Sequence, residues 1–221
     1  MPSRLRPVAP VAAEAILVGD PGRSLLLAQE LLEQPKMSNH ARGLWGYFGK
    51  TPAGRELTVQ ATGMGGPSAA LVLTDLTELG VRRAVRVGSC AAVSPTLGLG
   101  ELVVVGEAHA WGGPGTREGE AVEPDRALTA ALEAALGGDA RLGSVASLDT
   151  PLADHVDAGA PELAAAVADM QTAALLERGA ALGIALAAVL VVTETRSGDR
   201  LDDDALEAAA KQAGNAAADS L

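Results

Sequence analysis

Arginine, glycine and serine in close order are the groups that hold oxyanions, and this chain sets them at the end of an apolar run. Residues 82–93 read Arg-Arg-Ala-Val-Arg-Val-Gly-Ser-Cys-Ala-Ala-Val. Val85 and Val87 flank Arg86 with the alternation of a strand, which then breaks into the small side chains of Gly88, Ser89, Cys90, Ala91 and Ala92. A parallel strand in an open α/β sheet presents ligand groups at its carboxyl end. A guanidinium followed by a glycine and a hydroxyl is placed there to hold an anion. An arginine snorkelling at a sheet end, beside residues chosen for close packing, fits the same letters.

Two further turns carry the same chemistry. Gly19-Asp20-Pro21-Gly22-Arg23 closes a short apolar run and opens a helix, where backbone N–H groups, the positive helix end and Arg23 attract negative charge. An ordinary turn also uses Gly, Asp and Pro. Thr62-Gly63-Met64-Gly65-Gly66-Pro67-Ser68 is a second strand end feeding a helix.

The elements that must position these turns alternate. Strands are expected at 14–18, 81–87, 102–105, 141–147 and 184–192, and helices at 24–32, 69–79, 124–136, 163–179 and 206–218. Two extended segments, 39–49 and 56–62, surround the turn Thr51-Pro52-Ala53-Gly54 as a hairpin or meander. Glycine and proline dominate 107–123, which reads as a loop or lid, and 148–161 reads as a loop. Strand and helix in alternation make the class α/β, and 221 residues suit one domain spanning 1–221.

Composition narrows the partners. Seventeen basic against 28 acidic residues, net −11, argue against a nucleic-acid surface, which needs clustered Lys and Arg. The single cysteine, Cys90, makes no internal disulfide, which points to a reducing compartment, and it reads as a small apolar filler or a reactive thiol. The first ten residues lack a signal-peptide core, and the apolar run at 180–192 is too short to span a bilayer, so a soluble, cytoplasmic protein is expected. Asp149, Asp154, His155 and Asp157 lack a second histidine or cysteine at ligand spacing, and no metal is expected there.

Four ordered motifs, Gly19-Asp20-Pro21-Gly22-Arg23, Arg42-Gly43-Leu44-Trp45-Gly46-Tyr47, Gly63-Met64-Gly65-Gly66-Pro67-Ser68 and Arg86-Val87-Gly88-Ser89, resemble the trimeric and hexameric nucleoside phosphorylases, the group of bacterial purine nucleoside phosphorylase and uridine phosphorylase. The resemblance implies a three-layer α/β sandwich with a mixed, partly closed central sheet. It implies a pentosyltransferase that cleaves the N-glycosidic bond of a nucleoside with inorganic phosphate, needing no metal or organic cofactor, in a dimer-based homo-oligomer, commonly a hexamer.

By that resemblance Gly19, Arg23, Arg86 and Ser89 hold phosphate, and Arg42 reaches the site of a neighbouring subunit. Arg86 then acts catalytically too, because the held phosphate attacks a sugar carbon of oxocarbenium character. Met64, Cys90, Ala91, Asp169 and Met170 would line the ribose and base. Gln171 stands where the family places a glutamate that holds the ribose hydroxyls, and a neutral amide lacks the charge that strengthens such bonds. Thr193-Glu194 occupies the place of a Ser-Asp pair, with Glu194 as general acid toward the leaving base. Arg196 would approach the base as an arginine does in the uridine enzymes. At Ser147-Leu148-Asp149-Thr150-Pro151-Leu152 the base-stacking aromatics of the purine-specific members are missing. The phosphate half of the motif set is intact and the nucleoside half is altered. Phosphorolysis of a purine nucleoside, with uridine second, is therefore the leading expectation; a phosphate-binding protein weakened in turnover and a nucleosidase are the alternatives.

Overall fold

Short apolar runs closed by glycine turns build a sheet that is buried on both faces. The fold comes from a computed structural model, which describes residues 4–111, 119–157 and 163–221. One mixed sheet holds ten strands among these residues: β1 (Glu14–Val18), β2 (Glu33–Asn39), β3 (Gly46–Lys50), β4 (Glu56–Ala61), β5 (Arg83–Ala92), β6 (Leu102–Ala110), β7 (Ala121–Val122), β8 (Ala140–Ser147), β9 (Val167–Asp169) and β10 (Ala185–Glu194). The helices are α1 (Pro21–Leu31), α2 (Gly66–Glu78), α3 (Arg126–Leu136), α4 (Leu152–Asp157), α5 (Thr172–Leu182) and α6 (Asp203–Ser220).

The sheet is partly closed. β10 runs parallel to β5 and antiparallel to β6, while β6, β8 and β9 lead round and back to β5. β1, β4, β3 and β2 continue from β5 as an open wing. Alternation along β10 explains the three layers. Leu186, Ala188, Leu190 and Val192 pack toward the core under α2 and α5, and Ala187, Val189 and Val191 toward the one under α1, α3 and α6. No helix among the described residues is long and apolar enough to cross a membrane.

Four local expectations change. β2 was not legible, because an edge strand of sequence Glu-Gln-Pro-Lys-Met-Ser-Asn exposes most of its length and shows no apolar alternation. The helix expected at 163–179 is instead β9 followed by α5: Val167 and Ala168 pair with β5 and β8, and Asp169 accepts from Thr172 N, so the helix begins only there. The loop expected at 107–123 is shorter, since β6 reaches Ala110 and β7 pairs with it; residues 112–118 lie outside the described residues, and with them the lid. α4 occupies part of the loop expected at 148–161, of which residues 158–162 are also outside the description.

A buried carboxylate ties the start of the chain to α2. Asp75 accepts from the backbone N–H groups of Arg4 (2.6 Å) and Leu5 (2.9 Å) and from the Arg4 guanidinium (3.0 Å). Burial alone would push its pKa up, but those bonds and the charge of Arg4 outweigh it and hold Asp75 below its ordinary 3.8. A depressed folded-state value means that this stability is present above the unfolded pKa and is lost as pH falls through the folded one. Melting temperature should therefore decline below about pH 4, and Asp75→Asn should be less stable at pH 7 by about 2 kcal/mol, with a flatter acid limb. Parallel pH–melting curves for the two proteins would show that the carboxylate does not anchor Arg4 and Leu5 to α2.

Candidate active site

The centre of the site is set by one strand and one glycine. Arg86 lies on β5, and its side chain turns back over Gly88, where a Cβ would sit 2.7 Å from Arg86 Nη2 and 2.6 Å from Leu190. Only glycine leaves that space. The guanidinium is 4% exposed, with Nε donating to Thr172 Oγ1 (3.0 Å), Nη1 to Gln171 Oε1 (2.7 Å) and Nη2 to Asp169 Oδ2 (2.9 Å). Three of the five N–H groups of an arginine are thereby committed, and two remain.

The partners of Arg86 come from the turn between β9 and α5. Asp169 Oδ2 also accepts from Thr172 Oγ1 (2.6 Å) and Thr172 N (3.1 Å), and Oδ1 accepts from Ser147 Oγ (2.5 Å). Ser147 Oγ accepts in turn from Ala173 N (2.9 Å), so the first N–H groups of α5 are capped from inside the protein. Thr172 N is shared with Oδ1 (3.2 Å), so four donors meet the four acceptor positions of the Asp169 carboxylate. Gln171 is equally engaged. Its Oε1 takes Arg86 and stands 3.0 Å from Thr62 Oγ1, which shares its proton with the Val18 carbonyl, while Nε2 donates to the carbonyls of Gly63 and Gly65. Those two glycines need φ of +75° and +78°, which puts their carbonyls within reach. Arg86 can only donate and the carbonyls only accept, so the amide has one orientation.

These groups border a cavity of about 600 Å³, a size typical of small-molecule sites. One end is cationic and open. Arg23, in the first turn of α1, is half-buried, and its guanidinium donates to no described residue. Burial lowers its pKa first, Asp20 opposes this, and the charge of Arg86 lowers it further; arginine stays cationic throughout. Ser89 Oγ, beside them, also has no partner among the described residues. The N-terminus of α1 is less available than its glycines suggest, because Asp20 caps it by accepting from Arg23 N (2.8 Å).

The lining also includes an aliphatic group and the carboxylate of Glu194. Leu148, Pro151 and Leu152 line the cavity together with Thr193 and Glu194, which lie at an irregularity in the β10 ladder. Thr193 Oγ1 donates to the Cys90 carbonyl (3.2 Å), and Arg200 Nε lies 3.5 Å from Glu194 Oε2. Cys90 is the apolar filler of the two readings: it is 4% exposed, its thiol donates to the Val191 carbonyl (3.4 Å), and burial, with Asp169 nearby, drives its pKa far up. Among the described residues no group of three or more His, Cys, Asp or Glu is arranged to hold a metal ion.

A cavity between the carboxyl end of β5 and the turn after β9, lined by Arg23, Arg86 and Glu194, brings the sequence motifs together in space. The family model of the phosphorylase superfamily matches residues 14–221. The chain belongs to the phosphorylase superfamily. It is similar to a purine nucleoside phosphorylase DeoD-type of Alkaliphilus metalliredigens, 28% identical over 195 residues that cover 84% of this chain and 83% of that protein. A protein of the same name from Chromobacterium violaceum is 44% identical over 94 residues, 42% of this chain and 39% of its own length. Its namesake from Oceanobacillus iheyensis is 36% identical over 95 residues, 42% of this chain and 40% of that protein. In these two shorter matches the chain spans about two fifths of the relative.

Of the residues singled out in the sequence of this superfamily member, Gly19, Arg23, Met64, Arg86, Ser89, Cys90, Ala91, Asp169, Met170, Gln171 and Glu194 all line the one cavity. Arg42 does not; it is exposed in a short turn with φ of +60°. Arg196 is exposed, and Arg200 is the arginine that reaches Glu194. Sequence reasoning missed Thr62, Ser147 and Thr172, the small hydroxyls that orient the charged groups. The spacing Asp169-Met-Gln-Thr172 was the available signal, since an aspartate three residues before a threonine is a helix-start pattern.

Proposed function

We propose that this protein is a nucleoside phosphorylase, transferring the pentose of a purine nucleoside, with uridine the second choice, to inorganic phosphate. The observation that carries the reading is the contrast at the cationic end: Arg23, Ser89 and two N–H groups of Arg86 border the same cavity with no partner among the described residues. Two guanidiniums that border one cavity, the charge of one lowering the pKa of Arg23, are stabilised by a shared dianion through charge-assisted, bidentate bonds. Phosphate held there attacks the anomeric carbon as the bond to the base breaks, the electron pair leaves with the base nitrogen, and Glu194 supplies the proton that neutralises it. The guanidiniums supply the charge stabilisation, so the reading includes no metal or organic cofactor. The names of the relatives and the carboxyl group of Glu194 favour a purine.

The assembly proposed with it is a dimer-based homo-oligomer in which Arg42, exposed in the single chain, completes the anion site of a neighbour. A phosphate-binding protein weakened in turnover is the second reading, favoured by the aliphatic wall of Leu148, Pro151 and Leu152, which offers no ring to stack on a base. Inosine, adenosine, guanosine and uridine incubated with and without phosphate test both. Base release that depends on phosphate is expected. Release without phosphate would replace phosphorolysis by hydrolysis, and a phosphate-dependent rise in melting temperature with no release would favour the binding protein.

A further inference from the structure

If the anion end holds phosphate and Glu194 faces the base, the pentose must lie against the wall between them. That placement is all that is taken from the proposed function. Met64, Ala91, Met170, Asp169 and Gln171 line that cavity, with the Asp169 carboxylate itself buried behind the lining. Three of these are apolar, and the two polar side chains have nothing left to offer. Asp169 has its four acceptor positions filled by Ser147, Thr172 and Arg86. Gln171 has its amide hydrogens on the carbonyls of Gly63 and Gly65 and its oxygen on Arg86 and Thr62. The anion end is the reverse, with its donors open.

A sugar hydroxyl moved from water to such a lining loses its hydrogen bonds and gains none from these side chains, which is costly for each hydroxyl. The 3′- and 5′-hydroxyls are common to ribose and 2-deoxyribose, so their cost cancels in a comparison. The 2′-hydroxyl does not cancel. We infer that the sugar subsite, closed by the saturated pair Asp169 and Gln171, selects 2′-deoxyribonucleosides over ribonucleosides. Gln171 is a specificity-determining residue in this account, because an amide is the side chain that can satisfy Arg86 and two glycine carbonyls at once. A glutamate there faces the Gly63 and Gly65 carbonyls with an oxygen that cannot donate, so that oxygen turns to the cavity and becomes an acceptor for the 2′-hydroxyl.

The test is the ratio of kcat/KM for 2′-deoxyinosine over inosine, and for 2′-deoxyuridine over uridine, at saturating phosphate. The deoxy substrate is expected to be favoured about tenfold, the order of one unpartnered hydroxyl. A ratio at or below one overturns the inference. Gln171→Glu should bring the ratio down toward one, and an unchanged ratio in a folded variant overturns the role of this side chain. Titration calorimetry with 2-deoxyribose 1-phosphate and ribose 1-phosphate gives a second measurement that needs no turnover. Tighter binding of the deoxy sugar phosphate in a protein that cleaves no nucleoside would uphold the sugar subsite while ending the phosphorolysis reading. Equal or tighter binding of ribose 1-phosphate would end the deoxy preference alone.

Discussion

Arg86→Ala should lose both the response to phosphate and a large part of the fold's stability. The guanidinium is 4% exposed and binds Asp169, Gln171 and Thr172, so truncation leaves an unpaired carboxylate that is itself fully buried. Breaking a buried ion pair from one side costs about 3–5 kcal/mol. For a chain of this size that is a fall in melting temperature of roughly 10 °C. Phosphate, which should raise the melting temperature of the wild-type protein by binding only its folded state, should no longer do so. Melting curves with and without phosphate read both effects. An undiminished phosphate shift removes Arg86 from the anion site, and an unchanged melting temperature means that the Asp169 network does not brace the turn before α5.

Arg23→Ala should separate function from folding. Its guanidinium is half-buried, repelled by Arg86 and bonded to no described residue, so no native hydrogen bond is lost with it. Stability without phosphate should change by less than about 0.5 kcal/mol. A charge-assisted contact to a dianion is worth about 1.5–3 kcal/mol, so kcat/KM for phosphate should fall roughly 10- to 100-fold. Arg23→Lys should recover part of this, because an ammonium keeps the charge without the planar fork. Phosphate titration at saturating nucleoside measures it. A phosphate KM equal to wild type would leave the cationic end of the cavity without its proposed ligand.

These two arginines differ in a way that the sequence did not show. Both follow an apolar run and sit beside glycines, and both read as anion holders. Arg86 is braced and Arg23 has no partner among the described residues, because β5 lies against the β9–α5 turn whereas Arg23 is carried by the first turn of α1. A ligand-binding site needs both kinds: a braced group costs no ordering on binding, and an open one still has its hydrogen bonds to give. Gln171 carries the same lesson. As a letter it is an amide in place of a glutamate, a weaker sugar ligand. In the fold it is a four-way brace between Arg86, Thr62 and the Gly63–Gly65 turn, which moves the question from how strongly ribose is held to which pentose fits.

Alternation of apolar strands and helices, with glycine turns at the strand ends, was enough to specify the α/β class and the strand ends that border the cavity. Side-chain period and turn chemistry are local, and local physics is legible one residue at a time. The closure of β10 onto both β5 and β6, the edge strand β2, and the start of α5 at Thr172 rather than earlier were decided by pairing between segments far apart in the chain. So was the sorting of polar groups into spent and available. A donor or acceptor is free only relative to what surrounds it, and those surroundings exist only once the chain has folded.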